Sequence, residues 1–329
     1  MTYKLVNITK EGNQLDITTL VSEIHWSSDI NQAARQMEIT MAFGGDYYLP
    51  KYDVPLGSLL ILFNDAVEII RTVVFNKRKD TGGGHSVTGY DHLNYLLKSK
   101  GTFKFRKMTA TAIIKEVCAA FNIPVGDMAE TGVVLDKQIF REDQSGSSLY
   151  DICMTALKET TKRNGKKYVL RMRQGKLQVI EKPKQTVRWL LTGGSNLISA
   201  DYGENIEEMK NRILVVGDKD QVLARVENPA LIKRYGLLQE VATESSVKAG
   251  EARTIAQNML KELGKVSREA RIECLGIDEV EAGTAIEVRE TLTGLIGIFY
   301  VDTDKHTISN GQHTMNLTLN WTDEVSTDG

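Results

Sequence analysis

Gly57-Ser-Leu-Leu-Ile-Leu62 and Gly283-Thr-Ala-Ile-Glu-Val288 are two versions of one short strand that begins behind a glycine. Around both copies the same segments follow in the same order and at nearly the same spacing. Met37–Met41 corresponds to Ala270–Cys274, Ile69–Phe75 to Leu295–Val301, and His85–Tyr90 to His313–Leu319. This order indicates a four-strand unit that occurs twice in the chain, although strand spacing in β proteins is itself regular.

The segment Met37–Phe43 shows how such strands are built. Met37, Ile39, Met41 and Phe43 alternate with polar or small residues. Because successive side chains of a strand point to opposite faces, one face lies on a core and the other faces solvent or a partner.

Between the two copies the apolar period becomes helical. One helix stops before Asn122-Ile-Pro124, and a second begins near Ser147 and Ser148, where Asp151 is placed for a capping box. Gln174-Gly175 lies between two alternating segments and predicts a hairpin. The apolar stripe of the first helix is Ala110, Ile113, Ile114, Val117, Cys118 and Phe121.

These patterns predict a mainly β protein with α+β character, in three parts. Residues 1–98 form a first tube-like antiparallel β-barrel module, and residues 99–190 form a small α+β middle domain. Residues 191–329 form a second tube-like module with an inserted helix from about Val247 to Leu263.

Composition limits the classes of function. The chain has 41 basic and 43 acidic residues without a basic stripe, which argues against nucleic-acid binding. Cys118, Cys153 and Cys274 lie within apolar patterns and are predicted to be reduced and buried. No secretion signal or run of ~20 apolar residues is present, so we expect synthesis and folding in the cytoplasm and no membrane contact.

No catalytic motif emerges, and no cofactor is predicted. His306 and His313 flank a hairpin with Asn310-Gly311 at its tip, which could bring the two imidazoles together. No third ligand is evident, so we predict no metal site. Asp302 and Asp304 alternate along a strand and are expected to form a solvated or partner-facing pair rather than a general acid and base.

Several longer stretches, in a fixed order, resemble a known family. They are His85–Ser99, Thr109–Cys118, Ser148–Cys153, Asn196–Tyr202, Met209–Gly217 and Glu251–Leu260. In this order they are similar to the baseplate hub proteins of contractile phage tails and tailocins, in particular the XkdQ or YqbQ group of PBSX-like prophages. That group resembles the late control protein D of P2-like phages and the central hub of T4-like phages.

The resemblance implies a non-catalytic structural subunit that forms a homotrimer. Two tube-like modules in each subunit would then offer six quasi-equivalent positions beneath a sixfold tail tube. The implied neighbours are the tail tube protein, the spike, the baseplate wedge and LysM-bearing tail proteins, in a virion or tailocin baseplate assembled in the host cytoplasm. The face predicted to line the channel or meet a neighbouring subunit carries Glu38, Thr40, Thr314, Asn316, Thr318 and Asn320.

Two other functions stay open from the sequence. A peptidoglycan-degrading glycosidase needs only two suitably placed carboxylates, which 43 acidic residues could supply. A carbohydrate-binding module is the second alternative, although only Trp26, Trp189 and Trp321 are available to stack on sugars.

Overall fold

A computed structural model describes residues 2–30, 32–41, 52–81, 84–140, 148–181, 187–217, 221–243 and 249–321. The chain forms two compact units, one of Met1–Ser199 with Ile272–Gly329 and the other of Ala200–Arg271. Within the described residues, no helix is both long and apolar enough to cross a membrane. The predicted division at 98/99 and 190/191 remains a prediction.

The first region of the chain is a strand meander with a short 3-10 turn at Thr18–Leu20. Its strands are β1 (Tyr3–Ile8), β2 (Gln14–Asp16), β3 (Val21–Asp29), β4 (Gln32–Met41), β5 (Leu59–Asn64), β6 (Val67–Lys79) and β7 (His85–Tyr90). Met37, Ile39 and Met41 are buried as predicted, whereas Ala42 and Phe43 lie outside the described residues, as do Gly82 and Gly83 of the predicted turn.

The middle region mixes helices and strands, as predicted. Ser148 and Asp151 form the expected capping box, and Gln174-Gly175 turns the expected hairpin. The elements are α1 (Leu93–Lys98), β8 (Phe103–Thr109), α2 (Ala110–Ala120), β9 (Val125–Met128), β10 (Val134–Phe140), α3 (Leu149–Asn164), β11 (Tyr168–Arg173) and β12 (Lys176–Glu181). α2 and α3 pack their apolar stripes into one core that includes Cys118 and Cys153. Phe121 was predicted to belong to the stripe of α2, but it follows the end of the helix and is exposed.

The last region returns to the sheet. Its elements are β13 (Trp189–Thr192), β14 (Leu197–Asn205), β15 (Arg212–Val216), β16 (Val222–Glu227), α4 (Pro229–Tyr235), β17 (Gln239–Thr243), α5 (Ala249–Leu263), β18 (Ser267–Leu275), β19 (Ala285–Arg289), β20 (Ile296–Ser309) and β21 (Gln312–Asn320). The chain enters the Ala200–Arg271 unit along β14 and leaves it along β18. The predicted helix is α5, and it packs on a three-stranded sheet of order β16-β15-β17 within that unit.

The sheet shows the predicted repeat directly. Neighbouring strands run β4-β7-β6-β5 in the first copy and β18-β21-β20-β19 in the second. In each copy a glycine with positive φ, Gly57 or Gly283, donates its backbone N–H to the long strand, at Val74 O (2.8 Å) or Val301 O (2.7 Å). A β-bulge follows at that point in both long strands, so the two copies share register as well as order.

One detail of the predicted alignment was wrong by two residues. Val73 and Tyr300 are equivalent, and they lie opposite Tyr90 and Asn320, so His85 corresponds to Met315 rather than to His313. The reason is the tight Asn310-Gly311 turn, which extends the β20–β21 ladder beyond the end of its counterpart. A shift of two residues keeps every side chain on its predicted face.

The two copies are joined into one continuous sheet. The path runs β21-β20-β3-β4-β7, because β3 pairs with β20 over Glu23–Asp29 and Thr303–Ser309. Residues far apart in sequence therefore become direct neighbours across the β3–β20 junction.

Candidate assembly surface

The outward face of this sheet is polar across five neighbouring strands, and we call it the polar face. Residues that lie opposite one another in an antiparallel sheet project to the same side. Three rows of opposed residues make up the face: Thr314, Thr307, His25, Glu38 and Thr88; Gln312, Ser309, Glu23, Thr40 and Ser86; and Asn316, Lys305, Ser27, Gln36 and Tyr90.

The structure brings the predicted candidate residues together on this face. Glu38, Thr40, Thr314 and Asn316 come from opposite ends of the chain, yet they lie within the same three rows. Thr318 and Asn320 continue the alternation of β21 beyond those rows. Thr318 Oγ1 accepts a hydrogen bond from Thr303 Oγ1 (2.9 Å), and the Asn320 amide donates to Asp302 (3.2 Å).

The polar face carries little net charge. Its rows contain the carboxylates of Glu23 and Glu38 and the ammonium group of Lys305, and the remaining members are mostly hydroxyl and amide side chains. His25 lies beside Glu23, with 3.2 Å between His25 Nε2 and Glu23 Oε2. A surface of this kind attracts phosphates only weakly, since phosphate binding depends on concentrated positive charge.

The opposite side of the same strands is buried. Met37, Trp26, His306 and Met315 form one row there, with Trp26 and His306 stacked at 4.6 Å between ring centroids. All four residues belong to the interior. The alternation read from the sequence therefore assigns the correct strand faces.

His306 and His313 do meet, as the hairpin suggested, but they form a hydrogen-bonded pair. His306 Nε2–H donates to Val280 O (2.8 Å), so its Nδ1 must accept from His313 Nε2–H (3.0 Å). The Tyr3 hydroxyl closes the chain at His313 Nδ1 (2.8 Å) and also lies 2.8 Å from Asp278 Oδ1. No group of three or more possible metal ligands exists among the described residues.

Burial keeps both imidazoles neutral. It lowers the pKa of His306 to about 3, helped by the neighbouring His313, and it lowers the pKa of His313 as well. The pair is thus a satisfied polar element of the core, which links β1 to the second copy of the repeat.

The expectation for Asp302 and Asp304 was wrong. The bulge between Val301 and Thr303 interrupts the alternation, so Asp304 turns inward and is buried, whereas Asp302 is partly exposed. Asp304 accepts hydrogen bonds from the Ser28 hydroxyl and from the Ala282 N–H (2.7 Å). Burial raises the pKa of Asp304 to about 6.

A charged cluster that the sequence did not reveal joins three regions of the chain. Glu281, in the turn before β19, accepts hydrogen bonds from Arg171 and Arg173 of β11, the latter at 2.9 Å, and lies 3.6 Å from Arg35 of β4. Burial alone would raise the pKa of Glu281, but the three guanidinium groups outweigh it and hold the pKa below its usual range. Arg35, the Arg171–Arg173 pair and Glu281 are far apart in sequence and form no pattern, so sequence inspection could not find the cluster.

A cavity of about 610 Å³ lies beside this cluster. Its lining includes Trp189 and five carboxylates, which are Asp65, Glu68, Asp278, Glu279 and Glu281. Four of the five already accept hydrogen bonds: Asp65 from the Thr2 N–H, Glu68 from Arg71, Asp278 from Asn64, and Glu281 from the arginines. A glycosidase requires a protonated carboxylic acid opposite a carboxylate, and Glu281 is held in its ionised form.

Fold and surface together define a class of protein: a chain that carries two copies of one sheet module, joined edge to edge beneath a shared polar face. The chain belongs to the YQBQ-like family, whose model matches residues 24–320. This confirms the resemblance drawn from the sequence.

Individual relatives agree with the family. The chain is 29% identical over 277 residues to YqbQ of Bacillus subtilis (strain 168), covering 81% of this chain and 82% of that protein. It is 28% identical over 294 residues to the phage-like element PBSX protein XkdQ of the same organism, covering 87% and 88%. The 43 kDa tail protein of prophage MuSo2 from Shewanella oneidensis has a similar fold, with a TM-score of 0.70 at 15% identity over 96% of this chain and 98% of that one.

Proposed function

We propose that this chain is a structural hub subunit in the baseplate of a contractile phage tail or tailocin. Three copies would form a ring that joins the sixfold tail tube to the threefold spike. The observation that carries the proposal is the repeat, with the same strand order, glycine hydrogen bond and bulge in both copies. A threefold ring of such chains presents six similar positions, which matches a sixfold partner.

The relatives support this role. XkdQ is named as a protein of a phage-like element, and the MuSo2 protein is named as a tail protein. The proposed partners are therefore further copies of this chain, the tail tube protein, the spike, wedge proteins and LysM-bearing tail proteins. The proposed location is the baseplate of the particle, after assembly in the host cytoplasm.

The polar face is the proposed channel lining. Glu38, Thr40, Thr314 and Asn316 lie on it, and its low positive charge would let DNA or a tape-measure protein pass without being retained. The buried side of the same strands holds the apolar core, so only the polar face is available to line a channel.

Particle composition and structure test the proposal. Cryo-electron microscopy of purified tails should show three copies of this chain between tube and spike, with β21 facing the channel. Deletion of the gene should leave free tubes without baseplates. Absence of the chain from purified tails, or a copy number other than three in the baseplate, would overturn the proposal.

A charge substitution tests the channel lining in a particle that delivers DNA. Thr314→Lys with Asn316→Lys adds two cations to the polar face, and we expect delivery per assembled particle to fall by about tenfold. The control is Thr254→Lys with Gln257→Lys on the exposed side of α5. Equal delivery by the two variants would contradict the channel role.

The non-catalytic part of the proposal has its own measurement. The purified chain should leave peptidoglycan intact in a zymogram, because four of the five cavity carboxylates already accept hydrogen bonds. A clearing zone that disappears in Asp278→Asn or Glu68→Gln would instead establish a hydrolase.

A further inference from the structure

The two copies of the repeat differ at one edge, and this difference indicates how neighbouring subunits would meet. The inference rests on the proposed trimeric hub and deepens it by naming the contact surface. The edge that differs belongs to the long strand of each copy, which is β6 in the first and β20 in the second.

In the second copy, both edges of β20 are occupied. β21 pairs along one edge, and on the other edge β19 pairs with Ile296–Tyr300 while β3 pairs with Thr303–Ser309. β3 leads directly into β4, the first strand of the other copy. The β3–β20 ladder is thus the junction between consecutive modules of one chain.

In the first copy, the equivalent edge of β6 has no strand beside it in the described part of the chain. β5 pairs with Val67–Val73 and β7 pairs with Val73–Lys79, which leaves Asn76–Lys79 open on the side where β20 receives β3. Asn76, Arg78 and Lys79 are exposed. An open edge of this kind is a template for another strand.

β14 is the counterpart of β3 in the second copy. β3 lies beside β4 in the order β3-β4-β7, and β14 lies beside β18 in the order β14-β18-β21. β14 is the last strand at its end of the sheet, and its neighbour there is β18. Besides that pairing, β14 makes a single backbone bridge, from Leu197 to Gly193, among the residues that the structure describes. Ile198, Asp201 and Glu204 of this strand are exposed, and Ala200 and Tyr202 are partly exposed.

Charge complements this geometry. The open edge of β6 carries Lys77, Arg78 and Lys79. Lys77 and Lys79 each form an ion pair with Asp53. Arg78 lies between them in sequence and therefore projects to the opposite face of the strand. β14 carries Asp201 and Glu204, of which Glu204 pairs with Arg268 at 3.2 Å, and Glu207 and Glu208 follow the strand. Opposite charge on two open strand edges favours their pairing and disfavours pairing of either edge with itself.

We propose that the open edge of β6 pairs antiparallel with β14 of a second copy of this chain. Each ring would then contain six modules joined by two alternating ladders, β3–β20 within a chain and β14–β6 between chains. The backbone hydrogen bonds of these ladders would make one uninterrupted sheet around the channel.

Site-specific cross-linking tests the contact. The double variant Arg78→Cys with Asp201→Cys is incorporated into tails by complementation and treated with a short bismaleimide. Cys118, Cys153 and Cys274 are buried and will not react. We expect covalent products of two and three chains, and mass spectrometry should join the β6 and β14 peptides of different chains.

The matched control is Lys305→Cys with Asp201→Cys. Lys305 is exposed and equivalent to Arg78, but the edge of its strand is already occupied by β3. This pair should give single chains. In mixed particles, chains with Arg78→Cys alone should cross-link to chains with Asp201→Cys alone, and neither variant should cross-link to itself.

A charge exchange gives a second, independent measurement. Arg78→Glu should weaken association of the purified chain by about tenfold, and adding Asp201→Lys should recover most of that loss. Both side chains are exposed, so unchanged melting temperatures will show that the variants are folded. Loss without recovery would count against the contact.

The outcomes separate the contact from the hub proposal. Three copies in the baseplate without a β6–β14 product, or Arg78→Cys cross-linked to a different tail protein, would overturn this contact and leave the hub intact. A β6–β14 product in rings of another size would support the contact and overturn the threefold hub.

Discussion

At the scale of single residues, His306 ties folding to pH. Its pKa of about 3 in the folded protein lies below the ordinary value of 6.5, so below about pH 6.5 the unfolded chain binds a proton that the folded chain does not. Stability is therefore lost as the pH falls from 6.5. In His306→Gln this loss should disappear, so the unfolding free energy of the wild type relative to the variant should drop by about 1.4 kcal/mol per pH unit. Urea unfolding at pH 7, 6, 5 and 4 measures the difference, and parallel curves for the two proteins would refute the assignment.

At the scale of elements, the repeat depends on one glycine in each copy. Gly57 and Gly283 have φ values of +78° and +87°, a conformation that side chains with a Cβ adopt at a cost. Gly57→Ala and Gly283→Ala should each lower the unfolding free energy by about 1 kcal/mol or more, because alanine is strained at positive φ. At Gly57 the new Cβ would meet the end of the flexible Lys10 side chain, which can move away. Gly250→Ala in α5 is the control and should be neutral or stabilising, because alanine favours a helix. Equal effects at all three positions would show that backbone conformation is not the cause.

At the scale of the whole molecule, Glu281 holds together parts that the chain order separates. Glu281→Gln removes the carboxylate between Arg35, Arg171 and Arg173 and leaves their charges to repel one another. Arg171 and Arg173 are partly exposed and can turn to solvent, so we expect a loss of about 2–3 kcal/mol, below the usual cost of breaking a fully buried pair. The exposed Glu279→Gln is the matched control and should change the unfolding free energy by less than about 0.5 kcal/mol. Chemical denaturation distinguishes the two, and similar midpoints would disprove the role of the cluster.

Much of the architecture could be predicted from local signals. The capping box of Ser148 and Asp151, the Gln174-Gly175 and Asn310-Gly311 turns and the order of the repeated strands are all confirmed. Each depends on residues close in sequence, whose effect on the backbone does not require the rest of the fold. The predicted polar residues of β4 and β21 also lie on one face, since alternation is a local property of a strand.

What could not be predicted depends on distant pairing. The bulge after Val301 turns Asp304 into the interior, and a one-residue insertion of this kind has no signature in the alternation around it. Glu281 and its arginines are ordinary charged residues until the fold places them together.

By itself, the sequence determined which residues of each strand are apolar, where the chain turns, and that one strand pattern occurs twice. Only the tertiary structure decided that β3 pairs with β20, so that two predicted modules share one sheet and one polar face. The physical reason is range. Side-chain alternation and turn conformation arise from neighbouring residues, whereas the choice of strand partner is a competition among distant edges that is settled by the free energy of the whole fold.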